Sequence, residues 1–255
     1  MNLPPNTLKI ALSAGKTQHG IWLTSGSSVA AEIAGAAGFD WCLIDGEHGP
    51  NTISNMLPQL QALAISGTPA VVRIASAEVW MVKQVLDLGC QTVLVPMVDD
   101  AEKAEEMAQA MRYPPYGNRG MGAVLARASG YGAIGDYAYA ANDEVCLMVQ
   151  AESAATVGNI DAIAATEGVD GVFVGPADLS ADMGYPGQPD HPEVEEAIDY
   201  LIARTIAAGK IAGIITFDEN RFTEYADKGV KFLGIGCDVS ILGTALRRLA
   251  GQARR

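Results

Sequence analysis

The chain contains 255 residues, of which 49% are hydrophobic, so it can bury a large core and can fold as a single domain. Its 17 basic and 30 acidic residues give a formal net charge of -13, which disfavours nucleic acid or an anionic membrane as the main partner. The four cysteines lie far apart with no CxxC pattern, and no apolar run approaches about 18 residues, so we expect a reduced, cytoplasmic protein with no disulfide framework and no membrane span.

Short apolar runs recur along the chain, and each is followed by a turn and then by residues with helical spacing. Several runs are rich in Val and Ile and are apolar on both faces, which is typical of strands covered by helices outside and by a packed barrel interior inside. This pattern predicts an α/β fold, a (β/α)8 TIM barrel, with a doubly wound open sheet as the alternative. The predicted strands are 19–25, 41–45, 70–74, 92–96, 145–152, 170–175, 212–217 and 231–236.

Apolar residues fall at three- and four-residue intervals between the runs, most clearly in 79–89, 100–112 and 191–209. A glycine after the first and third of these stretches predicts where the helix ends. The regular spacing breaks between the fourth and fifth strands, where a stretch dense in Gly and Tyr intervenes. We therefore predict one domain, residues 1–255, with residues 97–144 as an extended loop and helix insertion of the kind that often serves function.

The active site of such a barrel lies at the C-terminal ends of its strands, so polar residues at these ends are the candidates. Lysine is missing from this set, which disfavours a Schiff-base mechanism. Phosphate-binding and nucleophile motifs such as GxxxxGK[ST] and GxSxG are also absent from the sequence. The polar residues at the predicted strand ends are Asp45, Glu47, His48, Arg73, Gln150, Glu152, Asp178, Thr216 and Asp238.

Gln150 and Glu152 are two residues apart on a strand, so both side chains point to the same face, where burial is costly unless they bind something. Asp178 follows one βα unit later and can reach Glu152. Two carboxylates without a nearby His or Cys favour a hard divalent ion such as Mg²⁺ or Mn²⁺. The alternative is that Glu152 pairs with Arg73 while Asp178 caps the following helix.

Three further features have a functional and a structural interpretation. Arg73 lies among apolar neighbours and can clamp a carboxylate or stabilise an oxyanion, or it can simply form a salt bridge that closes the barrel. The turn that begins at Gly175 leads into a helix and can present N–H groups to an anion, although a tight turn alone explains the glycine. His48 follows a strand end and is the best proton carrier among the three histidines.

Six blocks of sequence together resemble the HpcH/HpaI aldolase family of class II, metal-dependent pyruvate aldolases. They occur in order along nearly the whole chain: FDWCLIDGEHGPN (39–51), VVRI (71–74), LDLGCQTVLVPMV (86–98), YPPYGNRGMG (113–122), QAES (150–153) and VGPADLS (174–180). The resemblance implies a (β/α)8 barrel that swaps its C-terminal helix with a neighbour and assembles as a homohexamer, a trimer of dimers. One departure is Cys90, which stands where the family pattern has Ala.

The resemblance also implies a reaction and a metal. Residues matching Glu152 and Asp178 hold a divalent ion, Mg²⁺ or Mn²⁺ with Co²⁺ or Zn²⁺ as further candidates, which binds pyruvate and stabilises its enolate for reversible addition to an aldehyde. Gln150 and Ala177 match positions that contact the substrate, and Arg73 matches the group that stabilises the developing negative charge.

The proton chemistry is likewise implied by the resemblance. His48 matches the proposed base, with Asp45 close by in the same loop, and Asp87 matches an acidic residue that raises the basicity of the histidine from an adjacent subunit. Without the family pattern, Asp87 would be interpreted as a solvated helix position. Trp22 is either a plug of the barrel or a wall of the aldehyde pocket.

Several functions remain open from the sequence alone. A citrate lyase beta-like, macrophomate synthase-like or 2-dehydro-3-deoxy-sugar-acid aldolase activity would use the same kind of site, whereas a sugar-acid-binding barrel would not need it for catalysis. A phosphate-binding isomerase barrel would need stronger glycine signals after the last two strands. The acceptor aldehyde is not identified, and we expect its walls to include Trp22, Tyr116, Arg119, Tyr131 and Phe217.

Overall fold

A computed structural model describes residues 2–254, and within this range eight parallel strands close into a barrel in the order of the chain. This confirms the predicted (β/α)8 barrel and excludes the open sheet. The second strand has the predicted bounds, whereas the others shift by one or two residues at their ends. The strands are β1 Gln18–Leu23, β2 Trp41–Asp45, β3 Ala70–Arg73, β4 Thr92–Val95, β5 Cys146–Ala151, β6 Gly171–Val174, β7 Ile211–Ile215 and β8 Phe232–Cys237.

The helices surround the barrel, and capping side chains and glycines set several of their ends. Ser153 accepts a hydrogen bond from the N–H of Thr156 and so caps the N-terminus of α7, as Ser27 caps α2. Gly209, with φ +73°, follows α9 in the left-handed conformation that glycine adopts at low cost. The helices are α1 Thr7–Ser13, α2 Ser28–Gly35, α3 Ile53–Ser66, α4 Val79–Asp87, α5 Ala101–Met111, α6 Tyr137–Glu144, α7 Ala154–Ala165, α8 Pro176–Asp182, α9 Pro192–Ala207, α10 Arg221–Asp227 and α11 Asp238–Gln252.

The hydrophobic core has two layers, because alternate residues of each strand face the helices and the barrel interior. The interior is filled by large side chains, and Trp41 stacks on Phe232 with ring centroids 4.1 Å apart. Gly20 is required beside Trp41, because a Cβ at this position would overlap the indole ring. Buried interior residues include Leu8, Leu12, Trp22, Trp41, Leu43, Val71, Leu94, Met148, Phe173 and Phe232.

The same alternation decides which polar side chains reach the end of the barrel. Asp45 follows Leu43 by two residues on the inward face of β2, and Arg73 follows Val71 in the same way on β3. The register pairs Asp45 with Arg73, so both side chains lie at one level. The C-terminal end of the barrel therefore carries a polar layer above an apolar interior.

The segment between β4 and β5 contains α5, two short 3-10 turns (Ala123–Leu125 and Arg127–Ser129) and α6. It has a small core of its own, in which buried Arg119 lies over the rings of Tyr113 and Tyr137 at 4.4 and 5.8 Å. Since α5 runs back toward the N-terminal ends of the strands, the segment after it starts at that face. The carboxylate of Glu144, at the end of α6, accepts a bond from the N–H of Asn6 there.

Among residues 2–254, no helix has both the length and the apolar character needed to cross a bilayer.

Candidate active site

A cavity of about 230 Å³ opens at the C-terminal ends of the strands. The residues predicted to act in catalysis or to bind the substrate or the metal all line it, except Glu152 and Asp87. Glu152 lies behind this lining, against Gln150 and Gly175. The predicted residues that line it are Trp22, Asp45, His48, Arg73, Gln150, Gly175, Ala177 and Asp178.

Arg73 is held by two carboxylates at the mouth of the barrel. Its Nε and Nη2 donate to Asp45 Oδ1 and Oδ2 at 2.8 and 2.7 Å, and its Nη1 lies 2.7 Å from Glu47 Oε2. Burial by itself would lower the pKa of Arg73, but the hydrogen bond and charge of Asp45 and the charge of Glu47 outweigh it, so the pKa is raised. The guanidinium is thus a fixed positive charge with a defined orientation.

His48 stands at the rim of the cavity, on the loop that follows β2. Asp45 Oδ1 accepts the backbone N–H groups of Glu47 and His48 at 3.1 and 3.3 Å, so the residue that holds Arg73 also shapes this loop. The imidazole is 61% exposed, and its Nε2 lies 3.9 Å from Glu47 Oε2. It can therefore exchange a proton with solvent while it faces the cavity.

Glu152 is only 2% exposed, and each of its oxygens has a hydrogen-bond donor. Oε1 accepts from the backbone N–H of Met97 at 2.7 Å, and Oε2 accepts from Gln150 Nε2. Burial raises the pKa of Glu152 to about 7, with the charges of Glu47 and Asp178 adding to this effect against the two hydrogen bonds. Burial also raises the pKa of Glu47, against the opposing charge of Arg73.

The donor set around Glu152 fits a hard divalent cation. Gln150 Oε1 is buried with no hydrogen-bond partner among the described residues, and Asp178 contributes a second carboxylate beside the same cavity. Burial disfavours the ionised forms of Glu152 and Glu47, and a bound cation would stabilise them. The described residues contain no ready cluster of three His, Cys, Asp or Glu ligands, so water and substrate oxygens would have to complete the coordination of an ion here.

The alternative interpretation of these carboxylates is wrong on both points. In the described part of the chain, Arg73 forms its ion pairs with Asp45 and Glu47, not with Glu152. The N-cap of α8 is Gly175, and Asp178 lies inside the first turn of that helix. Both carboxylates therefore remain available to a ligand.

Trp22 and Phe217, both predicted as walls of an aldehyde pocket, line this cavity. Trp22 is 4% exposed and packs against Trp41 and Phe173 with centroids 5.5 and 5.4 Å apart. It therefore plugs the barrel and forms the floor of the cavity at the same time. Phe217 is 64% exposed at the end of β7.

The expectation that Tyr116, Arg119 and Tyr131 also form walls of this cavity is wrong within one subunit. Arg119 is buried under two tyrosines, and the other two residues line separate surface cavities. The physical reason is the direction of α5, which carries the chain to the opposite face before these residues occur.

Asp87, at the end of α4, is not part of this cavity in its own subunit. Its Oδ1 accepts from Arg119 Nη2 at 2.8 Å, and its side chain is 30% exposed. It lines a different cavity of about 390 Å³, which also includes Leu125 and Tyr131. The side chain is thus oriented at the surface by a buried arginine.

A model of the HpcH/HpaI aldolase/citrate lyase family matches residues 18–245, which is nearly the whole barrel. The chain belongs to this family. This assignment confirms the family prediction made from the six sequence blocks and the prediction of a carbon–carbon lyase. The matched range includes every residue that lines the cavity.

Full-length relatives carry the names of aldolases. The chain is 53% identical to a hydroxypyruvate/pyruvate aldolase of Agrobacterium fabrum, covering 99% of this chain and 95% of that protein. It is 48% identical to a 4-hydroxy-2-oxo-heptane-1,7-dioate aldolase of Shigella sonnei, covering 97% and 94%. A crystal structure of an HpcH/HpaI aldolase/citrate lyase family protein from Burkholderia cenocepacia superposes with a TM-score of 0.93 at 38% identity, covering 98% and 100%.

The sequence pattern gives no role to three residues that the structure ties to the C-terminal end of the barrel. Glu47 stands at a predicted strand end but has no role in the sequence pattern, and the structure makes it the second carboxylate at Arg73. Met97 acts through a backbone N–H, for which a side-chain pattern carries no signal. Asp238 likewise has no role in the pattern, and its carboxylate accepts from Thr24 and Ser25, which ties β8 to the loop after β1.

Proposed function

We propose that this chain catalyses the reversible aldol addition of pyruvate or hydroxypyruvate to an aldehyde, and the cleavage of 4-hydroxy-2-oxo acids in the reverse direction. The observation that carries this proposal is the buried pair Gln150 and Glu152 beside Asp178, in a cavity whose walls include the fixed guanidinium of Arg73. The seven lysines are all outside the described lining of this cavity, which argues against a Schiff base. The names of the full-length relatives support the same reaction.

We assign a divalent metal ion to the carboxylates of Glu152 and Asp178. The all-oxygen donor set favours Mg²⁺ or Mn²⁺, with Co²⁺ and Zn²⁺ as further candidates. Such an ion, when bound, polarises the keto oxygen of a 2-oxo acid and makes loss of a proton from the adjacent carbon feasible near neutral pH. Gln150 Oε1, which lacks a partner among the described residues, is available to the ion, to its water or to the substrate.

Arg73 stabilises negative charge as it develops on the 2-oxo acid. Because Asp45 and Glu47 hold the guanidinium in place, little reorganisation is needed when the charge appears. Discrimination between the charged oxygen and the neutral ketone is what accelerates the reaction, since equal binding of both would not.

The carboxylate of the substrate is assigned to the start of α8. Gly175 lines the cavity there, and the first-turn N–H groups at Ala177 and Asp178 have no acceptor within the helix. In this proposal these groups bind the carboxylate and so orient the 2-oxo acid. His48 accepts or returns a proton at that rim through an imidazole nitrogen.

We propose a homohexamer, a trimer of dimers, in which α11 packs on a neighbouring subunit. In support of this, α11 has no buried residue and exposes an apolar face that includes Val239, Leu242, Leu246 and Leu249. Asp87 is assigned to the site of an adjacent subunit, because it lies at the surface and outside the active-site cavity of its own subunit. The four free, buried thiols favour a reducing compartment, the cytoplasm.

The test measures aldol formation from pyruvate and a panel of aldehydes, with and without a chelator. We expect activity to be lost on metal removal and restored by Mg²⁺ or Mn²⁺. Glu152→Gln should abolish turnover, while Glu105→Gln on the exposed face of α5 serves as the matched control. Activity that survives full metal removal would contradict the proposal.

The same experiment distinguishes the rivals. A citrate lyase beta-like or 2-dehydro-3-deoxy-sugar-acid aldolase activity would also need the metal but would prefer other substrates in the panel. If the chain were a sugar-acid-binding barrel without catalysis, the wild type would not turn over pyruvate. Its ligand would then bind equally well to the wild type and to Glu152→Gln.

A further inference from the structure

Met97, directly after β4, has a backbone conformation that is rare for its residue type. Its φ of +51° lies in the left-handed region, which costs free energy for a residue with a Cβ. Its side chain is 52% exposed, so packing of this side chain does not explain the conformation. Such a residue persists only where its surroundings determine the backbone.

The residues that follow Met97 are anchored to β5 and α7. The N–H of Val98 donates to the carbonyl of Gln150 at 3.3 Å. Asp99 Oδ1 accepts from Ser153 Oγ at 2.5 Å and from Thr156 Oγ1 at 3.1 Å, and Asn159 Nδ2 donates to its carbonyl at 2.8 Å. These contacts offset the cost of the left-handed residue before them.

The consequence of this conformation is a hydrogen bond from the backbone to Glu152. The N–H of Met97 donates to Glu152 Oε1 at 2.7 Å. The other oxygen, Oε2, contacts Gln150 Nε2 and lies beside Gly175, where a Cβ would come within 2.7 Å of it. One oxygen is therefore fixed by the chain, and the other is next to a residue that lines the cavity.

We propose that Met97 is a positioning residue, whose left-handed backbone aims its N–H at Glu152 Oε1 and so fixes the carboxylate with Oε2 directed at the cation. This inference rests on the proposed metal role of Glu152. Groups that orient a metal ligand in this way typically change metal affinity by about 10- to 100-fold when removed.

The direct test removes the N–H and keeps the side chain. The α-hydroxy acid analogue of methionine, incorporated at position 97, replaces the amide by an ester. The matched control has the same analogue at Met81, whose N–H bonds to Glu78 in the first turn of α4, outside the cavity. Mn²⁺ binding to each metal-free protein is followed by electron paramagnetic resonance and calorimetry, and folding by thermal unfolding.

We expect the ester at Met97 to weaken Mn²⁺ binding about 10- to 100-fold relative to the ester at Met81, with Met97→Ala binding Mn²⁺ as the wild type does. Equal affinity of the two esters would overturn the inference, as would a loss in Met97→Ala as large as that in the ester. Glu152→Gln separates the two proposals. If this variant binds Mn²⁺ like the wild type, the metal assignment itself fails.

Discussion

Replacing Gly175 by Ala adds one methyl group where β6 ends against the proposed metal site. The new Cβ would lie 2.7 Å from Glu152 Oε2 and 3.0 Å from both Gln150 Nε2 and Glu152 Cβ. Comfortable separations for such contacts are about 3.5–4.0 Å, so the neighbours must move by about half an ångström or more. Both neighbours are 2% exposed, and Glu152 is tied to Met97.

The effect of this substitution comes from overlap and not from backbone strain. Gly175 has φ -101°, which alanine adopts freely. Inserting a methylene into a filled space costs about 1–3 kcal/mol. If the carboxylate rather than the barrel yields, this cost appears at the site as a loss of roughly 5- to 150-fold in Mn²⁺ affinity and in kcat/KM for pyruvate.

The assay compares Mn²⁺ titration, aldol kinetics and thermal unfolding of Gly175→Ala with those of Gly158→Ala. Gly158 is an exposed residue of α7, and a Cβ added there would have no neighbouring atom within 4 Å. Alanine at this position should therefore raise stability by about 0.5–1 kcal/mol and leave the kinetics unchanged. A Gly175→Ala protein with wild-type Mn²⁺ affinity and wild-type kcat/KM would refute the reasoning that Glu152 and Gln150 act from these positions.

Three further predictions concern protonation, charge and thiols. In metal-free protein, burial and the charges of Glu47 and Asp178 raise the pKa of Glu152 from its ordinary 4.5 to about 7, so the folded state holds a proton that the unfolded chain releases. The unfolding temperature of the metal-free wild type should therefore fall relative to Glu152→Gln as the pH rises from 4.5 to about 7, and parallel curves would contradict this. Arg73→Lys loses the two-point contact with Asp45 and should lower kcat by about 10²-fold, whereas Arg204→Lys, at an exposed pair with Asp161, should not; equal kcat values for both variants would speak against the role of Arg73. Burial raises the pKa of Cys42 and Cys90 to about 12, so a thiol reagent should label them only on unfolding, and rapid labelling of either in the native protein would disprove their burial.

The barrel and most of its polar layer could be predicted because they depend on local periodicity. Gln150 and Glu152 are two residues apart on one strand, and Asp45 and Arg73 end their own strands on the inward face. Since parallel strands in βα units present their C-terminal ends at one face, the strand pattern is enough to bring these residues together. Alternation within a strand likewise decides which side chains face inward.

The tertiary structure was needed to decide which carboxylates pair with Arg73 and where the long segment between β4 and β5 runs. Arg73 pairs with Asp45 and Glu47 and leaves Glu152 free, a choice among carboxylates that spacing does not distinguish. Segment 112–136 lies away from the cavity because of the direction of α5.

The sequence by itself determined the strands, the inward residues and the acidic character of the mouth, because each follows from a repeat of two or from a turn. Only the folded chain decided that the backbone of Met97 holds Glu152 and that Glu152 packs too closely against Gly175 to admit a Cβ there. A backbone N–H is common to almost every residue, so its use depends on where closure of the barrel brings it.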